Sequence, residues 1–408
     1  MKVLLVNKFH YRKGGSETYY FTVAEALRKK GHEVIFFAMA DEKNLPCDQA
    51  EYFVSNASVN GGIKSKLNMV LHIAYSKEAY KKMQALLNKE KPDLVILNLV
   101  HKQITLSIID AIREYDAKLP IFWTMHDLIA VCPSYVMLDG KGNICEKCLG
   151  GSFKPCVENN CIKGSKLMSI LSKYEADYIR KRKWYDQVDL FICPSDFYRN
   201  KLAQAGFTKN PVVTMRNPLP LGTQYGGGRK GDYVLYFGRL SEEKGVKTLL
   251  AAAKETDCKL FVLGTGPVEK ELKEFAKDMP NVEFKGFQTG KVLEDYVKNS
   301  RCVVLPSEWY ENGPYSAMEA MAAGKPLIVS GNGGLPELVD EGENGYVYRG
   351  GAKELAASIR KMLALSDEEY EKMSHCSVEK AKALFGPMQY VEQIEAQYGA
   401  IKGEKTNV

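Results

Sequence analysis

The sequence lacks any long apolar run. No stretch approaches the about 20 consecutive apolar residues that a helix needs to cross a bilayer, so we expect no membrane-spanning segment. Residues 1–6 are short and turn polar at Asn7, which predicts a buried strand and not a signal peptide. Cysteine is scarce too: 10 cysteines in 408 residues are too few for a disulfide scaffold.

Strong charge of one sign is also missing. The net charge is +6, which favours anionic ligands or an acidic membrane surface and does not indicate nucleic acid. The turn after the predicted strand 260–263 has only a short GxG and no GxGxxG, so the dinucleotide-binding fingerprint is absent there. Otherwise the composition, 45% apolar and 26% charged, is that of an ordinary globular protein.

Short apolar runs alternate with helical patterns along the whole chain. This alternation predicts an α/β protein with parallel sheets, and the length favours two domains. We therefore expect two Rossmann-like doubly wound domains that face a central cleft. The predicted strands are residues 3–6, 34–38, 94–100, 121–125, 190–193 and 212–215, then 233–237, 260–263, 282–284, 302–305, 327–329 and 346–348.

A segment rich in proline and glycine, residues 216–231, marks the expected linker. The first domain is then 1–215, with a cysteine-rich insertion at 132–161, and the second is 216–385. Residues 386–408 are expected to form an amphipathic helix that crosses back to the first domain, with an irregular tail from Gly403.

Two glutamates, Glu311 and Glu319, flank a turn and a helix start in the second domain. Asn312 and Gly313 favour a turn, and Pro314 suits the first position of a helix. The free N–H groups at such a helix start bind anions, so this segment suits a sugar joined to a diphosphate. The alternative is an ordinary helix with two surface glutamates.

Two cations follow the first strand of the second domain. Arg239 stands at the strand's carboxyl end and Lys244 follows around a turn, a pair that suits a pyrophosphate. After the next strand, Gly264 and Gly266 allow the backbone to approach a ligand closely. Solvated surface cations and a tight strand–helix turn explain these residues equally well.

The first domain offers two further candidates. Gly14 and Gly15 lie between the first strand and its helix, where backbone amides suit a phosphate or a sugar. His126 follows the strand 121–125, at the edge of the sheet where doubly wound domains bind ligands. A structural turn and a structural histidine are the competing interpretations.

Five cysteines fall within 30 residues. Cys145 and Cys148 have zinc-knuckle spacing, Cys156 and Cys161 complete a tetrahedral set, and Cys132 is an alternate ligand. We expect a structural zinc; free thiols or disulfides are the alternatives.

Two segments mix large apolar residues with lysines and arginines. They are residues 163–185 and 60–87, and this composition is typical of a helix that lies on a membrane surface. A solvated helix face is the alternative.

Taken together, these motifs resemble the retaining glycosyltransferases of family 4, which have the GT-B fold. The resemblance covers nearly the whole chain and is most specific from Gly238 to Tyr346, where five motifs occur in the expected order. Residues 124–133 and the cysteines after them resemble bacterial enzymes that build surface polysaccharides.

The resemblance implies a role for each candidate. Arg239 and Lys244 would neutralise the donor diphosphate, Glu319 would bind the ribose and Glu311 the sugar hydroxyls. The amides of Gly313, Tyr315 and Ser316, with Gly264 and Gly266, would contact the donor, Gly14 and Gly15 would close over the diphosphate, and His126 would reach the donor sugar.

The resemblance also implies the reaction and the partners. We expect retention at the anomeric carbon, a UDP- or GDP-sugar donor, a glycan or lipid-linked acceptor, and no metal or other cofactor in catalysis. The absence of a DxD pair agrees with this. The expected location is the cytoplasm, at the inner face of the cell membrane. An epimerase or phosphorylase on the same scaffold, or a non-catalytic nucleotide-sugar-binding protein, is the alternative.

Overall fold

The computed structural model describes residues 1–56 and 74–406. They divide into two compact units, Met1–Leu221 with Pro387–Val408, and Gly222–Gly386. Each unit has a six-stranded sheet whose paired strands are parallel, as the alternating pattern predicts. The chain passes from one unit to the next after Leu221, within the stretch that proline and glycine marked as a linker.

The first unit is built on a sheet of order β2-β1-β3-β4-β5-β6. Most of its strand residues are buried because helices cover both faces, which explains why the runs are apolar without alternation. Its strands are β1 Lys2–Val6, β2 Glu33–Phe37, β3 Leu94–Leu97, β4 Ile121–Thr124, β5 Leu190–Cys193 and β6 Val212–Thr214. Its helices include α1 Gly15–Lys29, α2 Lys77–Glu90, α3 Ser107–Tyr115, α4 Lys154–Glu158, α5 Lys166–Arg182 and α6 Asp196–Ala205.

The second unit has the sheet order β12-β11-β10-β7-β8-β9. Its strands are β7 Val234–Phe237, β8 Leu260–Leu263, β9 Val282–Gly286, β10 Cys302–Leu305, β11 Leu327–Ser330 and β12 Gly345–Tyr348. Its helices are α7 Val246–Thr256, α8 Glu269–Phe275, α9 Gly290–Lys298, α10 Tyr315–Ala322, α11 Gly351–Ala364 and α12 Asp367–Leu384.

In both sheets the strand order reverses beside the first strand. In the second unit, β7 pairs with β8 on one side and with β10 on the other, with Val234 opposite Cys302. In the first unit, β1 lies between β2 and β3. Loops that leave the carboxyl ends of such neighbouring strands run in opposite directions and open a crevice, which is where doubly wound domains bind ligands.

The last helix, α13 (Pro387–Thr406), packs on the first unit against α1. Tyr390, Val391 and Ile394 are buried, and the Tyr390 hydroxyl lies 2.6 Å from the Tyr19 hydroxyl. The expected irregular tail from Gly403 is wrong as far as Thr406, because the helix continues to that residue. Once buried side chains in its first turns hold a helix in place, further residues add to it at a small cost in free energy.

None of the helices in residues 1–56 and 74–406 is long and apolar enough to span a bilayer.

The packing of α13 yields a stability prediction. Ile394→Ala removes a fully buried side chain and should lower the free energy of unfolding of the first unit by about 2–5 kcal/mol. Gln393→Ala, at an exposed neighbouring position, is the matched control and should change it by less than about 0.5 kcal/mol. Urea unfolding followed by tryptophan fluorescence measures both; equal effects of the two changes would show that the face of α13 is assigned wrongly.

Candidate functional site

The candidate site of the second unit lies where its strand order reverses. Lys244 comes from the loop after β7, and Glu311 comes from the loop after β10. Gly245 lets the two loops meet: its φ is +66°, and a Cβ there would stand 2.0 Å from the carbonyl oxygen of Pro306. Only glycine fits this position, so the loop that carries Lys244 is packed directly on the loop that leads to Glu311.

Lys244 and Glu311 form a partly buried ion pair. The lysine Nζ lies 2.6 Å from Glu311 Oε1, and the hydroxyl of Ser307 donates to the same oxygen at 2.6 Å. The side chains are 22% and 7% exposed. Burial acts to raise the pKa of Glu311, but the charge and hydrogen bond of Lys244 and the bond from Ser307 outweigh it, so the pKa lies below its ordinary value.

A second glycine fixes the backbone of Glu311. Gly333 has a φ of +68°, and a Cβ there would lie 2.3 Å from the Glu311 carbonyl oxygen. The N–H of Gly334 donates to that oxygen at 2.7 Å. Lys244 therefore holds the carboxylate of Glu311, and residues 333–334 hold its backbone.

Helix α10 starts at Tyr315, with Pro314 at the N-cap in an extended conformation. The sequence placed Pro314 one position later, as the first helical residue. Glu319 falls in the second turn and lines a cavity of about 350 Å³ together with Leu293, Val297 and parts of the 222–224 segment. Burial raises the pKa of Glu319 to about 7, so this carboxyl exchanges its proton near neutrality.

Gly264 and Gly266 lie close to the backbone of the protein itself. A Cβ at Gly264 would stand 1.8 Å from the Gly238 carbonyl oxygen, and one at Gly266 would stand 2.0 Å from the Leu240 carbonyl oxygen. Their close approach is thus to the protein's own loop after β7. Arg239, in that loop, is exposed.

Gly14 contrasts with those two glycines. It is the N-cap of α1 with an extended backbone, and a Cβ there would meet only Glu17 Oε2 at an ordinary 3.7 Å. Packing within the protein therefore does not require glycine at this position. Gly15 begins the helix. The start of α1 keeps the small residues that a ligand approaching its amides would need.

His126 is held at the carboxyl end of β4 by two neighbours. The ring of Tyr19, from α1, packs edge-on at a centroid distance of 4.8 Å, and His126 Nε2 lies 3.0 Å from Asn98 Oδ1. Since the Asn98 amide nitrogen donates to the Val6 carbonyl, its oxygen is the acceptor, and Nε2 of His126 carries the proton. Burial lowers the pKa of His126 to about 3, so the ring is neutral at physiological pH.

Sequence reasoning missed four residues at these sites. Asn7 and Asn98 are buried at the ends of β1 and β3, Ser307 bonds to Glu311, and Lys8 has its pKa lowered to about 8 by burial, with Lys13 and Lys102 nearby. Asn7 and Asn98 are the first polar residues after an apolar strand. That signal, which singled out His126, could have found them too.

The cysteine-rich segment gathers its thiols loosely. Cys148 and Cys156 pack with Phe153 and Ile162 in a small cluster, and none of the ten cysteines forms a disulfide. Burial raises the pKa of both thiols to about 12, and the other cysteines nearby add to the shift. No three histidine, cysteine, aspartate or glutamate side chains in the described part of the chain are placed to hold a metal ion. Structural zinc therefore stays a prediction.

Curated relatives match parts of this chain. A Klebsiella pneumoniae protein named "Uncharacterized 42.6 kDa protein in cps region" is 24% identical over 83% of this chain and 87% of its own length. An "Uncharacterized glycosyltransferase MJ1607" of Methanocaldococcus jannaschii is 33% identical over 32% of this chain and 35% of its own. The chain spans about a third to a half of the length of MJ1607 and of two further curated relatives.

Solved structures share the fold. Anabaena Alr3699/HepE in complex with UDP has a TM-score of 0.68 at 18% identity, covering 98% of this chain and all of that one. Sucrose-phosphate synthase from Thermosynechococcus elongatus has a TM-score of 0.70 at 19% identity, covering 99% of each chain.

Two family models match in succession. "Glycosyltransferase Family 4" matches residues 13–222, and "Glycosyl transferases group 1" matches residues 225–379. The first spans most of one structural unit and the second spans most of the other. Because the first model alone covers more than half of the residues, the chain belongs to glycosyltransferase family 4, with the GT-B fold.

Proposed function

We propose that the chain is a retaining glycosyltransferase of polysaccharide biosynthesis. It would move a sugar from a nucleoside-diphosphate donor to a hydroxyl of a glycan or lipid-linked acceptor. The partly buried Lys244–Glu311 pair at the strand reversal of the second unit carries this proposal, because it sets a phosphate-binding cation beside a hydroxyl-binding carboxylate. The relative from the Klebsiella cps region supports the process.

The donor's diphosphate would lie between the loop after β7 and the start of α10. Arg239 and Lys244 supply positive charge, and the amides of Gly313, Tyr315 and Ser316 lie at the helix start, where anions are favoured. Glu319, one turn further along the helix, would accept hydrogen bonds from the ribose hydroxyls. Gly264 and Gly266 would support this site indirectly, by holding the loop that bears Arg239.

The donor's sugar would be bound by its hydroxyls. The carboxylate of Glu311 stays ionised through the physiological range, so it accepts hydrogen bonds from them. The first unit would add the amides of Gly14 and Gly15 and the neutral ring of His126, whose Nδ1 is an acceptor. We propose uracil or guanine as the base, because Anabaena Alr3699/HepE has structures in complex with UDP and with UDP-glucose, and a Corynebacterium glutamicum relative is named a GDP-mannose-dependent alpha-mannosyltransferase.

In the proposed reaction the bond from the anomeric carbon to the phosphate oxygen breaks, and a bond to the acceptor oxygen forms on the same face. The departing phosphate oxygen takes the acceptor's proton, so no side chain acts as nucleophile. Arg239 and Lys244 stabilise the negative charge that develops on the leaving diphosphate. Because two fixed cations supply that charge, we propose that catalysis uses no metal or other cofactor.

A cytoplasmic location would give the enzyme its nucleotide-sugar donor. We place it at the inner face of the cell membrane, where a lipid-linked acceptor would be presented.

Donor binding tests the proposal directly. UDP-, GDP- and ADP-sugars should be screened by thermal shift against the wild type, Arg239→Ala and Lys247→Ala. A ligand at about 100 times its Kd stabilises the protein by about 2.7 kcal/mol, a rise of a few degrees in Tm. Arg239→Ala should abolish the rise without lowering Tm, since this side chain is exposed. Lys247, an exposed cation on α7 paired with Glu271, is the matched control.

Two results would contradict the proposal. One is stabilisation by none of the sugars; the other is a rise that persists in Arg239→Ala as fully as in Lys247→Ala. Lys244→Ala should also lose binding, but it leaves Glu311 buried without its cation and should cost about 3–5 kcal/mol of stability. Arg239→Ala is therefore the decisive variant.

The raised pKa of Glu319 predicts a pH dependence. An ionised carboxylate accepts ribose hydrogen bonds better than a protonated carboxyl, so binding releases the proton that Glu319 holds below pH about 7. Affinity for the nucleoside diphosphate should rise with pH up to about 7 and then level off. In Glu319→Gln the affinity should be lower, and its remaining pH dependence should come only from titration of the ligand's own phosphate. Calorimetric titration across this range measures both; parallel pH profiles would exclude Glu319 from the ribose site.

For the cysteine-rich segment we propose a structural zinc held by Cys145, Cys148, Cys156 and Cys161, with Cys132 as the alternate ligand. Four thiolates are a donor set that zinc prefers. Elemental analysis of the chain, purified without a histidine tag, should find about one zinc per chain, and Cys148→Ser should lose it. Cys258→Ser, a buried cysteine of the second unit, is the control. Zinc-free protein with ten reactive thiols would exclude the metal.

A further inference from the structure

Helix α5 carries its large apolar side chains on the outside. A surface helix of a globular protein normally turns its apolar stripe to the core. In α5 the buried face consists mainly of small or polar residues, and the exposed face is apolar. The buried residues are Ser169, Ser172, Glu175 and Ile179. The exposed ones are Leu167 at 66%, Met168 at 41%, Ile170 at 45% and Tyr174 at 50% exposure.

The polar face of α5 contacts the rest of the protein. The hydroxyl of Ser169 accepts from the Ile162 N–H at 3.1 Å, and Ala176 packs on the small cluster around Cys156. Within the helix start, Ser165 accepts from the Met168 N–H and the Ser169 hydroxyl donates to the Ser165 carbonyl at 2.8 Å. The contacts that join α5 to its neighbours are thus on the side opposite the exposed apolar side chains.

Positive charge surrounds this apolar face. Residues 163–183 contain seven lysines and arginines against two acidic residues, whereas the whole chain has a net charge of only +6. Lys173 is paired with Asp177, and Arg182 with Asp110. Exposed lysines stand at both ends of the segment: Lys163 and Lys166 before or at the start of the helix, Lys181 and Lys183 at its end.

We propose that the outer face of α5 docks on an anionic lipid bilayer, with Leu167, Met168, Ile170 and Tyr174 in the boundary between headgroups and acyl chains. Apolar side chains flanked by lysines fit this surface, because the lysines meet anionic headgroups while the apolar residues leave water. A second copy of the chain fits it poorly, since a two-fold contact would bring two sets of lysines together. Residues 57–73 of the other segment predicted for the membrane lie outside the described residues.

The docking proposal can be tested without any measurement of sugar transfer. A negative result would therefore contradict the docking proposal without bearing on the proposed function. The full chain should be floated with vesicles of phosphatidylglycerol and phosphatidylcholine, and with vesicles of phosphatidylcholine alone. We expect binding to the anionic vesicles that weakens as salt is added, and little binding to the neutral ones.

Three variants assign the binding to α5. Leu167→Ser with Ile170→Ser should lower the partition coefficient about tenfold or more, since both side chains lose burial in lipid. Replacing Lys163, Lys166, Lys181 and Lys183 by glutamine should remove the salt-dependent part. The matched control is Phe287→Ser with Val292→Ser, which changes two apolar side chains of the second unit that are 69% and 52% exposed. Unchanged circular dichroism and Tm would show that these surface changes leave the fold intact.

Three outcomes would overturn the proposal. The wild type could fail to bind anionic vesicles, or the α5 variants could bind as well as the control. Light scattering could instead find a dimer that Leu167→Ser with Ile170→Ser dissociates, which would make this face an interface between two copies of the chain.

Discussion

The ion pair between Lys244 and Glu311 is the interaction on which the candidate donor site depends. Taking either charge out of water alone would cost several kcal/mol, and the two are tolerable below the surface only because they meet at 2.6 Å and Ser307 adds a hydrogen bond. In the proposed site, a phosphate that draws Lys244 away would change the electric field at Glu311, so binding of the phosphate and of the sugar hydroxyls would be coupled.

Glycines position that pair, because the backbone at these places packs too closely on its neighbours for a residue with a Cβ. Gly245 and Gly333 have left-handed backbones and lie too close to neighbouring carbonyls for any Cβ. Gly264 does the same for the loop that carries Arg239. Gly14 meets no such obstacle, so packing within the protein does not require a glycine there.

Much of the fold could be predicted from the sequence because strands buried on both faces leave continuous apolar runs. Each of the twelve predicted strands agrees with the structure within three residues at either end. The place of Lys244 after β7 and of Glu311 in the loop after β10 followed from the same pattern, whereas the pairing of β7 with β10 did not. The contact between the two side chains did not follow either, since 67 residues separate them and no local rule fixes which cation pairs with which carboxylate.

The composition of the α5 segment predicted a membrane-surface helix, with a solvated helix face as the alternative. It did not show which side chains turn inward, because hydrophobic periodicity normally assigns the apolar side to the core, and here serines and Glu175 face inward. The inward side is the one that carries the Ser169 hydrogen bond to Ile162 and the packing of Ala176 on the cysteine-rich segment. The grouping of Cys148 and Cys156, with Cys161 packed against them, agrees with their spacing, whereas the placement of the sulfur atoms could not be predicted.

The most direct test is a crystal structure of the chain with a nucleoside diphosphate bound. The account predicts a phosphate oxygen within about 3.2 Å of Lys244 Nζ and of the Arg239 guanidinium. It also predicts the ribose hydroxyls on Glu319 and the Glu311 carboxylate turned toward the position of the sugar. A diphosphate bound away from these cations, with the Lys244–Glu311 pair undisturbed, would contradict it.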